Sequence, residues 1–116
     1  MILSAAGEVD LENARIVQVE RSASQVSIYV SSATVEARPT ASLTLELLGV
    51  TAESAVLHVA GGGEVPLDVG SSLPPLNLVE VWSEHDGTLE LQGYRDREPW
   101  VVWRLSAKSI RAKAQV

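Results

Sequence analysis

Apolar and polar side chains alternate with period two through most of the chain, and β-branched residues and leucine fill the apolar positions. That is the pattern of half-buried strands, and helical spacing is hardly present. The first clear strand is Ala14–Glu20. In the next, Val26, Ile28 and Val30 alternate with Ser27, Tyr29 and Ser31. The apolar phase then moves to Val35 and Ala37, so a bulge or bend is expected at Ser31-Ser32. Leu43, Leu45 and Leu47 form a third run that Gly49 interrupts, and Ala55–Ala60 a fourth that ends at Gly61-Gly62-Gly63. Val65–Val69 reads as a short strand or an edge. The segment from Gly70 to Pro75 reads as a loop, because neither Pro74 nor Pro75 can donate to a ladder.

Leu76–Ser83 and Thr88–Gly93 flank Glu84-His85-Asp86-Gly87, and Asp-Gly between two alternating runs predicts a tight hairpin. A polar turn over Tyr94–Pro99 precedes Trp100–Ser106 and Ser109–Gln115. About eight strands joined by short turns predict an all-β fold: a single antiparallel meander, closed as a sandwich or a flattened barrel. At 116 residues, with no repeat and no linker, residues 1–116 are expected to be one domain.

The charges are segregated. Pro39–Tyr94 contains eight acids and no lysine or arginine, whereas Arg95–Val116 holds six of the nine basic residues. Met1–Arg38 carries −2, Pro39–Tyr94 −8 and Arg95–Val116 +4, giving the net −6. This predicts register: Arg104, Arg111 and Lys113 need neighbours, and strands carrying Glu46, Glu80, Glu84 and Glu90 supply opposite charge across the ladder. Like charges placed opposite one another repel, which disfavours wrong pairings.

The same charge makes nucleic acid and acidic lipid poor partners. The apolar runs are far shorter than the roughly 20 residues of a membrane-spanning helix, so no membrane role is expected. Met1–Gly7 has neither a basic region nor a long apolar one, which makes the cytoplasm the expected location. The absence of cysteine removes disulfides, thiolate nucleophiles and cysteine–zinc sites.

Catalytic side-chain types cluster only at Glu84-His85-Asp86. Three consecutive side chains in a tight turn diverge, whereas a metal requires convergence, so a solvated turn is expected. His58 would be the natural further ligand if a metal bound there, but on its strand it reads as a structural or surface residue. No serine lies in a Gly-x-Ser-x-Gly elbow. No catalytic residue, metal or cofactor is therefore assigned, and the protein is expected not to be an enzyme.

The tryptophans carry more information. Trp100, Val102 and Arg104 share one face of their strand, and Val101, Trp103 and Leu105 share the other. With Trp103 in the core, the first three form a surface of the composition enriched at protein interfaces. Trp82 is expected on the outward face of its own strand if Val79 and Val81 point inward, with Trp100 and Arg104 as its cross-strand partners. The candidate interface is thus Trp100, Val102, Arg104 and Trp82.

The order of features resembles small bacterial all-β proteins, including immunity-type proteins found beside polymorphic toxins. The residues that carry the resemblance are an opening strand at Asn13-Ala14-Arg15-Ile16, the leucine-rich unit Leu43–Val50, the strand Leu89–Gly93, and a final strand over Ser106–Ala112. Where members often have His-Asp-Ala, this chain has Glu12-Asn13-Ala14, and no functional residue carries over. The resemblance implies an acidic binder that occludes a basic protein partner without chemistry of its own. Expected partners are accordingly another protein or a second copy, and the alternative is a small-molecule-binding β-barrel.

Overall fold

A computed structural model describes residues 2–4, 7–39, 42–69, 74–95 and 100–115, the side chains of the last two residues excepted. All regular structure among them is β. The strands are β1 (Ile2–Ser4), β2 (Gly7–Asp10), β3 (Arg15–Ser22), β4 (Gln25–Ser31), β5 (Thr34–Val35), β6 (Arg38–Pro39), β7 (Ser42–Val59), β8 (Gly63–Leu67), β9 (Leu78–His85), β10 (Thr88–Tyr94) and β11 (Trp100–Gln115). They form one sheet of eleven strands in the order β6-β5-β2-β1-β11-β10-β9-β3-β4-β7-β8, with β11 also pairing β7.

Three expectations are corrected here. The strands number eleven among the described residues, because β1, β2, β5 and β6 are too short to show a period. The sheet is mixed, since β1 runs parallel to β11 with Ser4 opposite Ala112. It is also no simple meander: β11 lies between β10 and β7, far apart in sequence. The pairings β7–β11–β10–β9–β3–β4–β7 return to their start.

Two predicted pairs of strands are each one long strand. The runs at Leu43 and Ala55 belong to the 18-residue β7, and the two C-terminal runs belong to the 16-residue β11. These two are antiparallel neighbours from Ser42↔Gln115 to His58↔Trp100, with a shift in register between Ser106 and Ala107. That shift explains the two-part sequence pattern. Val101, Trp103 and Leu105 are buried before it and Ala112 after it, so the inward parity of β11 changes from odd to even.

The first half of β7 pairs β4, and its second half pairs β8. Each long strand therefore belongs to two regions of the sheet. The outward face of β8-β7-β11-β10-β9 forms one plate, and that of β3-β4-β7-β11 forms another.

Between them lies the core. Ile16 and Val19 from β3, Val26, Ile28 and Val30 from β4, and Leu43, Leu45 and Leu47 from β7 are buried, as are Leu89 and Leu91 from β10. Trp103 is fully buried, and its indole N–H donates to Glu53 Oε2 at 2.9 Å. The same carboxylate receives Arg21 Nη2 at 2.6 Å and Nε at 3.3 Å. A polar group withdrawn from water must be paired, and here three strands satisfy one another.

The bend expected at Ser31-Ser32 is present, with φ +62° at Ser32 separating β4 from β5. So is the hairpin: His85 pairs Thr88 around Asp86 and Gly87, whose φ values of +50° and +81° fit a type I′ turn. The last contact that closes the ring joins β9 to β3. There Arg15 faces Leu78, and Asn13 N and Ile16 N donate to Val79 O and Asn77 O, both at 2.8 Å.

Gly93 on β10 makes the β9 register possible. Its backbone packs so closely on β9 that a Cβ there would overlap the Leu78 carbonyl oxygen, and the register shifts at this point. Gly93→Ala is therefore expected to destabilise the fold by about 1–3 kcal/mol in urea unfolding, through overpacking. Arg21→Met leaves the Glu53 carboxylate without its cation and is expected to destabilise by about 3 kcal/mol. The double variant Arg21→Met/Glu53→Met should recover part of that loss, and a double variant less stable than Arg21→Met would contradict the assignment.

Candidate functional site

Cross-strand register places the interface candidates on the outer plate. One row reads Pro66, Val56, Val102, Gln92 and Val81, each opposite the next on adjoining strands β8, β7, β11, β10 and β9. The row beside it reads Glu64, His58, Trp100, Tyr94 and Leu78, and a third holds Ser54, Arg104, Glu90 and Ser83. An antiparallel sheet with one solvated face ordinarily carries polar residues there. Here the centre is apolar. Val81 is 51% exposed, and Val56, Trp100 and Val102 are half-buried.

Trp100 is held edge-on to Tyr94, its direct cross-strand partner, with ring centroids 5.2 Å apart and an 89° interplanar angle. Its indole N–H reaches Gln92 Oε1 at 3.4 Å. Residues 96–99 of the polar turn expected over Tyr94–Pro99 lie outside the described residues. Beside Val102, a hollow of about 340 Å³ is lined by Val56, His58, Glu64, Glu90 and Arg104 among others. Both signs of charge border it: Arg104 Nη2 lies 3.3 Å from Glu90 Oε2, and His58 Nδ1 lies 3.8 Å from Glu64 Oε1.

Trp82 does not join this surface. It sits opposite Leu91, so it shares the core-facing side of β9, while Val81 faces outward with Gln92. The expected pairing with Trp100 and Arg104 also fails, because β10 separates β9 from β11. Strict alternation missed this because Glu80 is the extra residue at the register shift and reverses the parity of β9 beyond Val79. The indole N–H of Trp82 donates to Asp10 Oδ1 at 2.9 Å, and its ring walls a hollow of about 600 Å³ with Glu8, Asp10 and Glu36.

The turn at Glu84-His85-Asp86 is solvated as expected. His85 and Asp86 side chains are both 89% exposed, with His85 Nε2 3.2 Å from Asp86 Oδ2. His58 pairs at the Trp100 end of β11, and His85 lies toward its Ser106 end, about 20 Å along the strand direction. No group of three or more potential metal ligands converges among the described residues.

The segregated charges meet across ladders. Arg104 pairs with Glu90 directly opposite, and Arg111 Nη2 reaches Glu46 Oε2 at 3.3 Å, again directly opposite. Lys113 Nζ lies 3.2 Å from Glu46 Oε1. Glu80 and Glu84 do not adjoin β11, since β9 is one strand further away. Lys108 instead lays its side chain over Gly49. Three C-terminal cations thus find partners in the span that has no cations of its own.

Compared with known protein families, curated proteins and solved structures, the chain has no match.

The hydrogen bond from Arg111 holds the Glu46 carboxyl below its ordinary value, with Lys113 adding to it against the opposing effect of desolvation. A depressed native value means the folded state favours the carboxylate. The resulting stability is fully present above the ordinary glutamate value of about 4.3 and is lost as pH falls through the native value. Urea unfolding of wild type and Glu46→Gln across pH 7 to pH 3 should show their stability difference shrinking in the acid range. A difference independent of pH would contradict the ion-pair assignment.

Proposed function

We propose that the protein is a non-enzymatic binding protein whose working surface is the outer plate of β8-β7-β11-β10-β9, and that its occupant is a second copy of the chain. The observation that carries this reading is the row of Val56, Val102 and Val81, broken by Gln92 between the last two, lying beside Trp100 on a sheet face with no covering layer among the described residues. Aromatic and aliphatic residues at the centre with charges at the rim match the anatomy of protein interfaces.

The charges favour a twofold partner. Arg104 and Glu64 are 56% and 66% exposed in their side chains, and both stand at the edge of the apolar row. In an isologous interface each patch meets its own copy, so a patch carrying both signs complements itself. Five strands at about 4.8 Å and three rows at about 6.7 Å make a plate of roughly 480 Å². That is well below the roughly 800 Å² per partner of a standard interface, so a weak, concentration-dependent dimer is expected.

The resemblance to immunity-type proteins supports the same class, a binder without chemistry, with a basic protein in place of the second copy. The ligand-barrel alternative has less support. We read the ring of strand pairings as a flattened barrel, but Trp103, Leu45, Leu91 and Ile28 fill the space between its walls.

Light scattering over a concentration series should show the mass rising from that of the 12.4 kDa chain toward twice that value. Val102→Glu sets a carboxylate among Glu64 and Glu90 and should hold the mass at that of one chain, with the fold checked by circular dichroism. Wild type that stays at single-chain mass throughout would rule out the second copy and assign the plate to a different protein.

A further inference from the structure

The opposite plate differs from the first in every respect that matters for binding. Across β3, β4, β7 and β11, one row reads Glu20, Ser27, Glu46 and Arg111, and the next reads Gln18, Tyr29, Thr44 and Lys113. Every side chain in them is polar. Ser27 and Thr44 are short and stand among long neighbours, so they floor a hollow of about 350 Å³ walled by Glu20, Gln25, Tyr29 and Lys113.

This hollow has unused hydrogen-bonding capacity at its floor. Thr44 is only 7% exposed, and its Oγ1 is buried without a hydrogen-bond partner. Glu46 is 9% exposed, and its Oε1 lies 3.2 Å from Lys113 Nζ, so the open capacity at the floor is that of Thr44. A buried hydroxyl with no partner costs stability, so each such group in a folded protein calls for an explanation. The contacts around it are slack as well. Gln25 Nε2 lies 3.4 Å from both Ser27 Oγ and Glu46 Oε2, at the long end for hydrogen bonds. Tyr29 OH, by contrast, donates to Glu20 at 3.0 Å and fixes that wall.

We infer that this hollow is a binding site for a neutral, hydroxyl-rich molecule of the saccharide class. Charge is the first reason. Arg111 and Lys113 are both engaged by Glu46, and Glu20 is tied to the Tyr29 hydroxyl, so among the described residues no unengaged cation lines the hollow to draw an anionic ligand. The second reason is the mixture of groups: carboxylate acceptors, an ammonium and an amide donor, and a threonine hydroxyl that serves either way. A sugar hydroxyl both donates and accepts, and so matches such a surface point by point. The third is size. About 350 Å³ stands at the lower end of the roughly 300–1,000 Å³ of small-molecule sites and suits one or two sugar rings.

The test is a titration of the isotope-labelled full chain, followed by amide NMR, with methyl glucoside, N-acetylglucosamine, methyl galactoside and maltose as probes. At least one should shift the amides of Ser27, Tyr29, Thr44 and Glu46, with an affinity insensitive to added sodium chloride. Thr44→Val keeps the shape and removes the hydroxyl. It should weaken that affinity about tenfold while raising the melting temperature, because the unpaired group is gone. Tyr29→Phe, which releases the Glu20 wall, should weaken binding too, whereas Asp86→Asn at the exposed turn between β9 and β10 should leave it unchanged. No shift at these amides with any probe, or wild-type affinity in Thr44→Val, would overturn the proposal.

Discussion

The structure depends on the ladder between β7 and β11. Two strands of 18 and 16 residues lie side by side along nearly their whole length, and β1, β4, β8 and β10 pair directly with one or the other. Because the first half of β7 pairs β4 and the second half pairs β8, the ladder runs through both plates. The register shift at Ser106 and Ala107 lets it do so without exposing apolar groups. It turns the inward parity of β11 so that Trp103 faces the core in one half and Ala112 in the other. A long flat pair would bury only one such set, since a side-chain period of two fixes each parity to one face.

Electrostatics follows from that ladder rather than producing it. Once Arg111 is opposite Glu46, and Arg104 opposite Glu90 on β10, each cation stands beside an acid from the lysine- and arginine-free span. Such exposed pairs add little energy one by one, typically below about 1 kcal/mol. β11 itself carries no acid, so a slipped register would part Arg104 from Glu90 and Arg111 from Glu46 rather than set like charges together. The buried group of Trp103, Glu53 and Arg21 acts differently. It ties β3 to β7 and β11 through a carboxylate that has little water to fall back on.

The two plates explain how one small β protein offers two unlike surfaces. The β8-to-β9 plate presents valines and an aromatic pair, which suits a protein surface. The β3-to-β11 plate presents hydroxyls, carboxylates and ammonium groups around a shallow hollow. Neither contains a convergent acid, base and nucleophile among the described residues.

The sequence by itself determined what depends on near neighbours. Alternation located β3, β4, β9 and β10; Asp86-Gly87 specified the hairpin between the last two; the parity of Trp103 assigned it to the core. It also paired Arg104 and Arg111 with acids in the preceding span. Tertiary structure alone decided the rest. Ile2 and Val9 are buried because β11 and β5 lie beside them, which three- and four-residue strands do not reveal. Trp82 turned inward because Gly93 admits the β9 backbone and Glu80 absorbs the extra residue, and that contact joins residues on different strands. The side-chain period is a local property that any strand displays alone. The choice of neighbour, and each bulge that shifts parity, is settled only when distant backbones compete for the same hydrogen bonds.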